Sequence, residues 1–397
     1  MTSRRCYIIP DHILRNIAER GTPDQRESAR RTLATSVAFR ALRAIAPPTQ
    51  AVEPNEGEVR TVYDAQHATR LPGVIVRRED SPAAADETAN EAYDGAGLTY
   101  AMYREVFGRN SVDGRGLELR STVHYDRRYN NAFWTGPPDN QMVYGDGDGD
   151  FFNRFTIAVE IDGHEISHAV TQFTAGLAYH DQPGALNESN SDIFGSLVKQ
   201  YWLNQTAEQS DWLIGSGLFT ARVHGRALRD MRHGQAYSDP VLGDDPQPLG
   251  MDAAHDPTGH GGYVKTSQDN GGVHINSGIP NKAFVNMALA FGGHAWERAG
   301  QIWYRALTTK FQAETTFQGA ADLTVQAARE LYGAAEVRIV VDACNAVGIT
   351  TNDGDAPPPP PPGHSPCGQD LQAFVQDVMR LPSAKRLMAR ARLLGLR

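Results

Sequence analysis

Gly163-His164-Glu165-Ile166-Ser167-His168-Ala169 carries the spacing H-E-x-x-H. On a helix, residues four apart lie one above the other on one face. His164 and His168 can therefore present two imidazole nitrogens to a single metal ion. Glu165 lies about 100° around the same helix. It can reach the open side of the metal without being a ligand. This is the arrangement of a zinc hydrolase site.

A second stretch completes the set. Asn187-Glu188-Ser189-Asn190-Ser191-Asp192 runs into the apolar Ile193-Phe194-Gly195, and Glu188 falls twenty residues after His168. A catalytic zinc takes three protein ligands and keeps one position open. Glu188 is the natural third ligand. Asp192, one helical turn further on, can accept the second ring N–H of a ligating histidine and fix its tautomer.

The stretches 164–168, 184–192 (Gly184 to Asp192) and 269–277 (Asp269-Asn270-Gly271-Gly272-Val273-His274-Ile275-Asn276-Ser277) resemble the thermolysin-like metallopeptidases. The similarity runs from about residue 58 to 350 and is closest to the protealysin-like subgroup, which shares a short N-terminal segment. The fold it implies is α+β and two-lobed. Residues 51–170 form a β-rich lobe that includes the zinc helix, and 171–350 form an α-helical lobe. Residues 1–50 precede them as an inhibitory propeptide, with a Pro-rich linker at 351–370 and a basic helical tail at 371–397.

Bulk properties are those of a globular protein. The chain has 397 residues, enough for two or three domains with a large core. A net charge of −9 argues against a general nucleic-acid binder. No apolar run reaches the length of a membrane span. Three cysteines, Cys6, Cys344 and Cys367, are no disulfide framework, although a Cys344–Cys367 bridge is conceivable. The apolar patch after Arg4-Arg5 is cut off by Pro10, too short for a signal-peptide core. The expectation is a monomer that is cytoplasmic or leaves the cell without a signal peptide.

Asp11–Glu19 reads as a short helix ended by Gly21. Thr22-Pro23-Asp24-Gln25 then reads as an N-cap, a first-turn proline and a capping-box glutamine, opening a helix to about Ile45 before Pro47-Pro48. The resemblance makes Ile8-Ile9-Pro10 a plug for the cleft, and Cys6 a candidate thiolate ligand. Pro47–Gly57 reads as a processing linker. Strands are expected at 59–63, 73–77 and 121–125, a hairpin at 129–144 and a helix at 87–107. Asp146-Gly147-Asp148-Gly149-Asp150 fails as an EF-hand, because Phe151 and Ile157 stand where Gly and Glu are needed, and reads as a glycine-rich turn. After the zinc helix, near 160–173, helices are expected near 191–203, 282–291, 295–309, 316–332 and 335–347. The prolines 357–362 read as a semi-rigid linker and 371–397 as an amphipathic tail.

The chemistry follows from the ligand set. A water on zinc is acidified to a pKa near 7, and Glu165 takes its proton and hands it to the leaving amine. The resemblance assigns oxyanion stabilisation to Tyr179 and His274, with Asp269 orienting His274. It assigns substrate positioning to Asn131, the backbone of Ala132, and Arg229. It makes Phe152, Phe155, Ile161, Ile214 and Leu228 an apolar pocket after the cut bond, so cleavage before bulky hydrophobic residues is expected. The implied activity is a neutral endopeptidase made as a zymogen, with its own propeptide in the cleft and peptides as substrates. The departures concern calcium. Lys199 stands at a shared carboxylate position between Glu160 and Asp211, Leu213 and Ser216 replace two more ligands, and Arg226 replaces one elsewhere. One zinc and little or no calcium are therefore expected. An aminopeptidase would carry a Gly-x-Met-Glu-Asn stretch for the free amine, and none is present.

Overall fold

Short runs of β-branched and aromatic residues in the first third pair into one sheet. The computed structural model describes residues 7–44 and 57–352, side chains of 37–44 excepted. Cys6, Cys367, most of the Pro47–Gly57 segment, the proline run and the tail lie outside the described residues. The strands are β1 (Arg60–Asp64), β2 (Val74–Arg78), β3 (Leu119–Val123), β4 (Ala132–Trp134) and β5 (Gln141–Tyr144). Their order is β2-β1-β3-β5-β4. β1, β3 and β5 are parallel, and β2 and β4 flank them antiparallel. β4 is thus an edge strand, with one side left to pair with something else.

The N-terminal segment supplies two helices, α1 (Asp11–Arg20) and α2 (Pro23–Ala44). In α1 the apolar residues Ile13, Leu14 and Ile17 fall on one face and are buried. Each is worth roughly 1.5–3 kcal/mol of hydrophobic stabilisation, an upper value. The backbone N–H of Thr22 donates to Gln25 Oε1 at 2.9 Å, half of the expected capping box. α2 lies over the loop before β4. Ser28 Oγ donates to the Arg128 carbonyl, and Thr32 Oγ1 accepts from the Asn130 amide at 3.3 Å.

α3 (Glu87–Phe107) has the expected bounds, opened by the Asp86 side chain on the Thr88 amide and closed by Gly108 in the left-handed region. α4 (Val159–Phe173) carries the H-E-x-x-H residues. α5 (Asp181–Leu203) starts ten residues earlier than the apolar pattern indicates. Its first half, rich in Gly, Asn and Ser, is buried on all sides and shows no amphipathic period. Those small residues let α4 and α5 approach. A Cβ on Gly163 would lie 2.9 Å from Gly195 Cα, and one on Gly195 would lie 2.4 Å from the Glu160 carbonyl oxygen.

The remaining helices are α6 (Asp269–Asn276), α7 (Gly278–Phe291), α8 (Arg298–Thr309), α9 (Phe317–Leu331) and α10 (Ala334–Asn345). α8 begins three residues later than the pattern suggests, because 294–297 form a turn. One large buried apolar cluster runs from Ile8 through both halves to Ile349.

Candidate active site

His164 and His168 project from α4 toward Glu188 on α5. His164 Nδ1 lies 2.8 Å from Asp192 Oδ1, and His168 Nδ1 lies 2.9 Å from both Asn187 Oδ1 and Ser191 Oγ. A carboxylate can only accept, so His164 Nδ1 carries the proton. Asn187 fixes the same tautomer for His168. Both Nε2 atoms then turn lone pairs toward each other, 3.0 Å apart. The two Glu188 oxygens stand 3.5 Å from them, one from each ring. Burial, and then His164, lower the His168 pKa well below its ordinary value, so His168 brings a lone pair to the contact. Three acceptors meet in a buried place with no donor among them. Zinc fits this donor set: two imidazoles and a carboxylate, each held from behind by a second hydrogen bond.

Glu165 stands beside this point. Its Oε2 accepts from the Trp134 amide at 3.1 Å, while Oε1 is buried without a hydrogen bond. Burial, and after it the Glu188 charge, push its pKa well up. A carboxyl raised toward neutrality is suited to take a proton and pass it on.

His274 sits where the chain leaves a left-handed run at Asn270, Gly271 and Gly272. Asp269 holds it twice, Oδ1 at 2.6 Å from Nδ1 and Oδ2 accepting the His274 amide at 2.8 Å. Burial works against its charge, but Asp269 and Glu188 win and raise its pKa to about 9. It is an imidazolium at neutral pH, with Nε2 as a donor. The Tyr179 hydroxyl lies 3.3 Å from that nitrogen and donates to Glu188.

The chain's own Tyr7-Ile8-Ile9 segment runs through this cleft. His274 Nε2 donates to the Tyr7 carbonyl at 2.9 Å. The Ile8 amide donates to the Ala132 carbonyl at 3.2 Å, on the edge strand. Arg229 Nη1 donates to the Ile8 carbonyl at 3.2 Å. Asn131 takes the Ile9 amide at 2.9 Å and returns a bond to its carbonyl at 3.3 Å. Ile8 and Ile9 are fully buried, in the same apolar cluster as Phe152, Phe155, Ile161, Ile214 and Leu228.

Eleven of the sixteen residues singled out in the sequence meet around this cleft, and the five apolar ones are buried members of the large apolar cluster. The sequence reading missed three features. Asp192 serves not only His164 but also Arg229, through bonds of 2.7–3.1 Å, and Asn281 at 2.8 Å. Burial opposes its charge, yet Arg229 and His164 keep its carboxyl below the usual range. Asn187 and Ser191 orient His168. Both lie inside the quoted Asn187–Asp192 stretch, one turn apart around Glu188, which was the available signal. Trp134 holds Glu165 through its backbone, which no side-chain pattern reveals.

Lys199, expected to take the place of calcium, has its Nζ 2.9 Å from Asp211 Oδ2 and 3.5 Å from Glu160 Oε1. Arg226 pairs with Asp230 at 2.6 Å. The Asp146–Asp150 run is a turn, with Asp148 Oδ1 accepting from the amides of Asp150, Phe151 and Phe152.

Comparison with known families gives three matches. Residues 49–172 match the thermolysin metallopeptidase catalytic domain, 175–349 the thermolysin metallopeptidase alpha-helical domain, and 6–34 the protealysin propeptide. The chain is 45% identical over 346 residues to an extracellular metalloprotease of Pectobacterium carotovorum subsp. carotovorum, covering 87% of this chain and 96% of that protein. It is 42% identical over 298 residues to thermolysin of Alicyclobacillus acidocaldarius subsp. acidocaldarius, covering 72% of this chain and 50% of that protein. Among solved structures it is similar to the precursor of protealysin, a metalloproteinase from Serratia proteamaculans. The TM-score is 0.77 at 44% identity, over 87% of this chain and 100% of that one.

Proposed function

We propose a residue-level mechanism from one premise: this chain belongs to the thermolysin metallopeptidase family, and it is a zinc-dependent endopeptidase made as a zymogen. The observation that carries the reading is the buried meeting of three acceptors at His164, His168 and Glu188. These three residues hold the zinc, which supplies Lewis acidity toward a water and a peptide carbonyl.

The chain's own groups do the rest. Glu165 accepts a proton from the attacking water and delivers it to the amide nitrogen that leaves. His274, kept cationic by Asp269, and Tyr179 donate to the carbonyl oxygen as it gains charge. Arg229, Asn131 and the Ala132 carbonyl hold the substrate backbone after the cut bond, extending the sheet from the edge of β4. The contacts to Tyr7, Ile8 and Ile9 support this register. Phe152, Phe155, Ile161, Ile214 and Leu228 line the pocket for the next side chain, so cleavage falls before Leu, Ile, Phe or Val. Asp192 positions both His164 and Arg229, coupling the metal site to substrate grip.

Residues 1–50 act as the inhibitory propeptide, 51–170 and 171–350 as the two catalytic lobes, and 351–370 and 371–397 as linker and tail. The enzyme works as a monomer, since one chain supplies every group named. No described helix is long and apolar enough to cross a membrane, and like the relative named extracellular, the enzyme acts outside the cell.

Two measurements bear on this. His274→Ala in the processed enzyme is expected to lower kcat on the order of 10²–10³-fold with little change in KM. An equal loss in KM would make His274 a binding group instead. Lys199→Glu places a third carboxylate beside Glu160 and Asp211. Its Tm is expected to fall by several degrees without calcium and recover with it, while the parent shows no calcium response. A large calcium-dependent rise in the parent would contradict replacement of the ion by Lys199.

A further inference from the structure

Three loops meet at the C-terminal end of the parallel strands β1, β3 and β5. The loop after β1 brings His67, the residue after β3 is His124, and the residue pair after β5 brings Asp146. The His67 amide donates to the His124 carbonyl at 2.9 Å, which locks the first two loops together. Asp146 stands between the two rings. Its Oδ1 is 2.8 Å from His124 Nδ1 and its Oδ2 is 3.3 Å from His67 Nδ1. Behind His124, Nε2 meets Asp86 Oδ2 at 2.7 Å.

We propose that His67, His124 and Asp146 form a second transition-metal site, suited to zinc, at the C-terminal ends of β1, β3 and β5. Two imidazoles and a carboxylate are borderline-soft and hard donors in the mixture zinc prefers. Ligand atoms at about 2.0–2.2 Å around a tetrahedral ion stand about 3.3–3.6 Å apart. The observed separations of 2.8 and 3.3 Å fall below that range and at its lower end, and all three donor atoms fall within 4.8 Å of one another. Small rotations of the exposed His67 ring close the set. Asp86 is the outer carboxylate that fixes a ligating imidazole: it takes the Nε2 proton and leaves Nδ1 to the ion. On binding, the Nδ1 proton of His124 passes to solvent.

The site differs from the catalytic one in a way that sets its role. Half of the His67 side chain is open to solvent, so water can fill the remaining position. The site works as a strut. It ties the loops of β1 and β3 to the turn that follows β5, the strand paired with β4. Where Lys199 takes a calcium position, this ion would brace the β-rich lobe instead.

The competing arrangement is metal-free: a doubly protonated His124 clasped by Asp86 and Asp146. Elemental analysis separates the two. The full-length Glu165→Ala chain, which does not digest itself, is equilibrated with zinc chloride, desalted and analysed. It is expected to hold two zinc ions per chain. His67→Asn should hold one. Asparagine suits the left-handed backbone of position 67 (φ 58°) and the side chain is half exposed, so the fold survives. Asp146→Asn should also hold one. His168→Ala, which strips the catalytic site, should keep one, and adding His67→Asn to it should leave none. Cobalt(II) in place of zinc should show two sets of visible bands, one lost in His67→Asn. A parent with a single ion that disappears with His168→Ala overturns the proposal. So does a His67→Asn chain with the same metal content as its parent.

Discussion

Glu165→Ala is expected to abolish peptide hydrolysis while the chain keeps its zinc and its fold. General acid–base catalysis is worth typically 10²–10⁴-fold. One carboxylate serves both proton transfers here, so the loss should fall at the upper end, on the order of 10⁴-fold. The metal stays because His164, His168 and Glu188 are held from Asp192, Asn187, Ser191 and Tyr179, not from Glu165. Stability should not drop through the lost charge. A buried carboxyl whose folded pKa is raised opposes folding at pH values above its unfolded pKa. The cost is the Trp134 amide left without its acceptor, about 1–3 kcal/mol. Glu165→Gln keeps that bond and should be equally inactive. Activity assays, zinc content and thermal melts of both variants decide the matter. Loss of zinc in either would show that Glu165 belongs to the ligand set and is not the base.

Ile8→Asp should unlock the uncut precursor. Ile8 is fully buried in the cleft. Its side chain contributes roughly 1.5–3 kcal/mol of burial, and a carboxylate there adds a larger desolvation cost. The blocked state should weaken by on the order of 10²-fold or more. The α1 face of Ile13, Leu14 and Ile17 and the α2 contacts to Arg128 and Asn130 remain, so the segment stays docked elsewhere. The readout is the initial rate on a short fluorogenic peptide, with mass spectrometry confirming an uncut chain. The parent should be nearly silent at that time. Equal rates would place the inhibition outside Tyr7–Ile9.

Much of this site was legible because its pieces are local in sequence. His164, Glu165 and His168 lie within five residues of one helix, and Glu188 and Asp192 lie one turn apart on the next. Asp269 and His274 are five residues apart. The helix expected at 87–107 keeps its bounds because the structure caps it chemically, at Asp86 and Gly108. The rest depends on distance along the chain. The bonds of Asp192 to Arg229 and Asn281 join residues 37 and 89 positions apart, and no period in the sequence reports them. The start of α5 was hidden because a helix buried on every side has no polar stripe. In the sequence the Asp146 run reads as a glycine-rich turn. Its imidazole neighbours come from two other loops, which become adjacent only when β1, β3 and β5 pair.

The plug lies on the open edge of β4 as part of the same chain. A tethered ligand sees an effective concentration in the millimolar range for a short connection. Before the chain is cut, silence is therefore a property of each molecule alone, the same in a crowded or a dilute solution. After a cut between α2 and β1, the identical contacts hold two separate pieces, and dilution decides whether they part. Leaving a crowded compartment for a large volume would then itself act as the trigger.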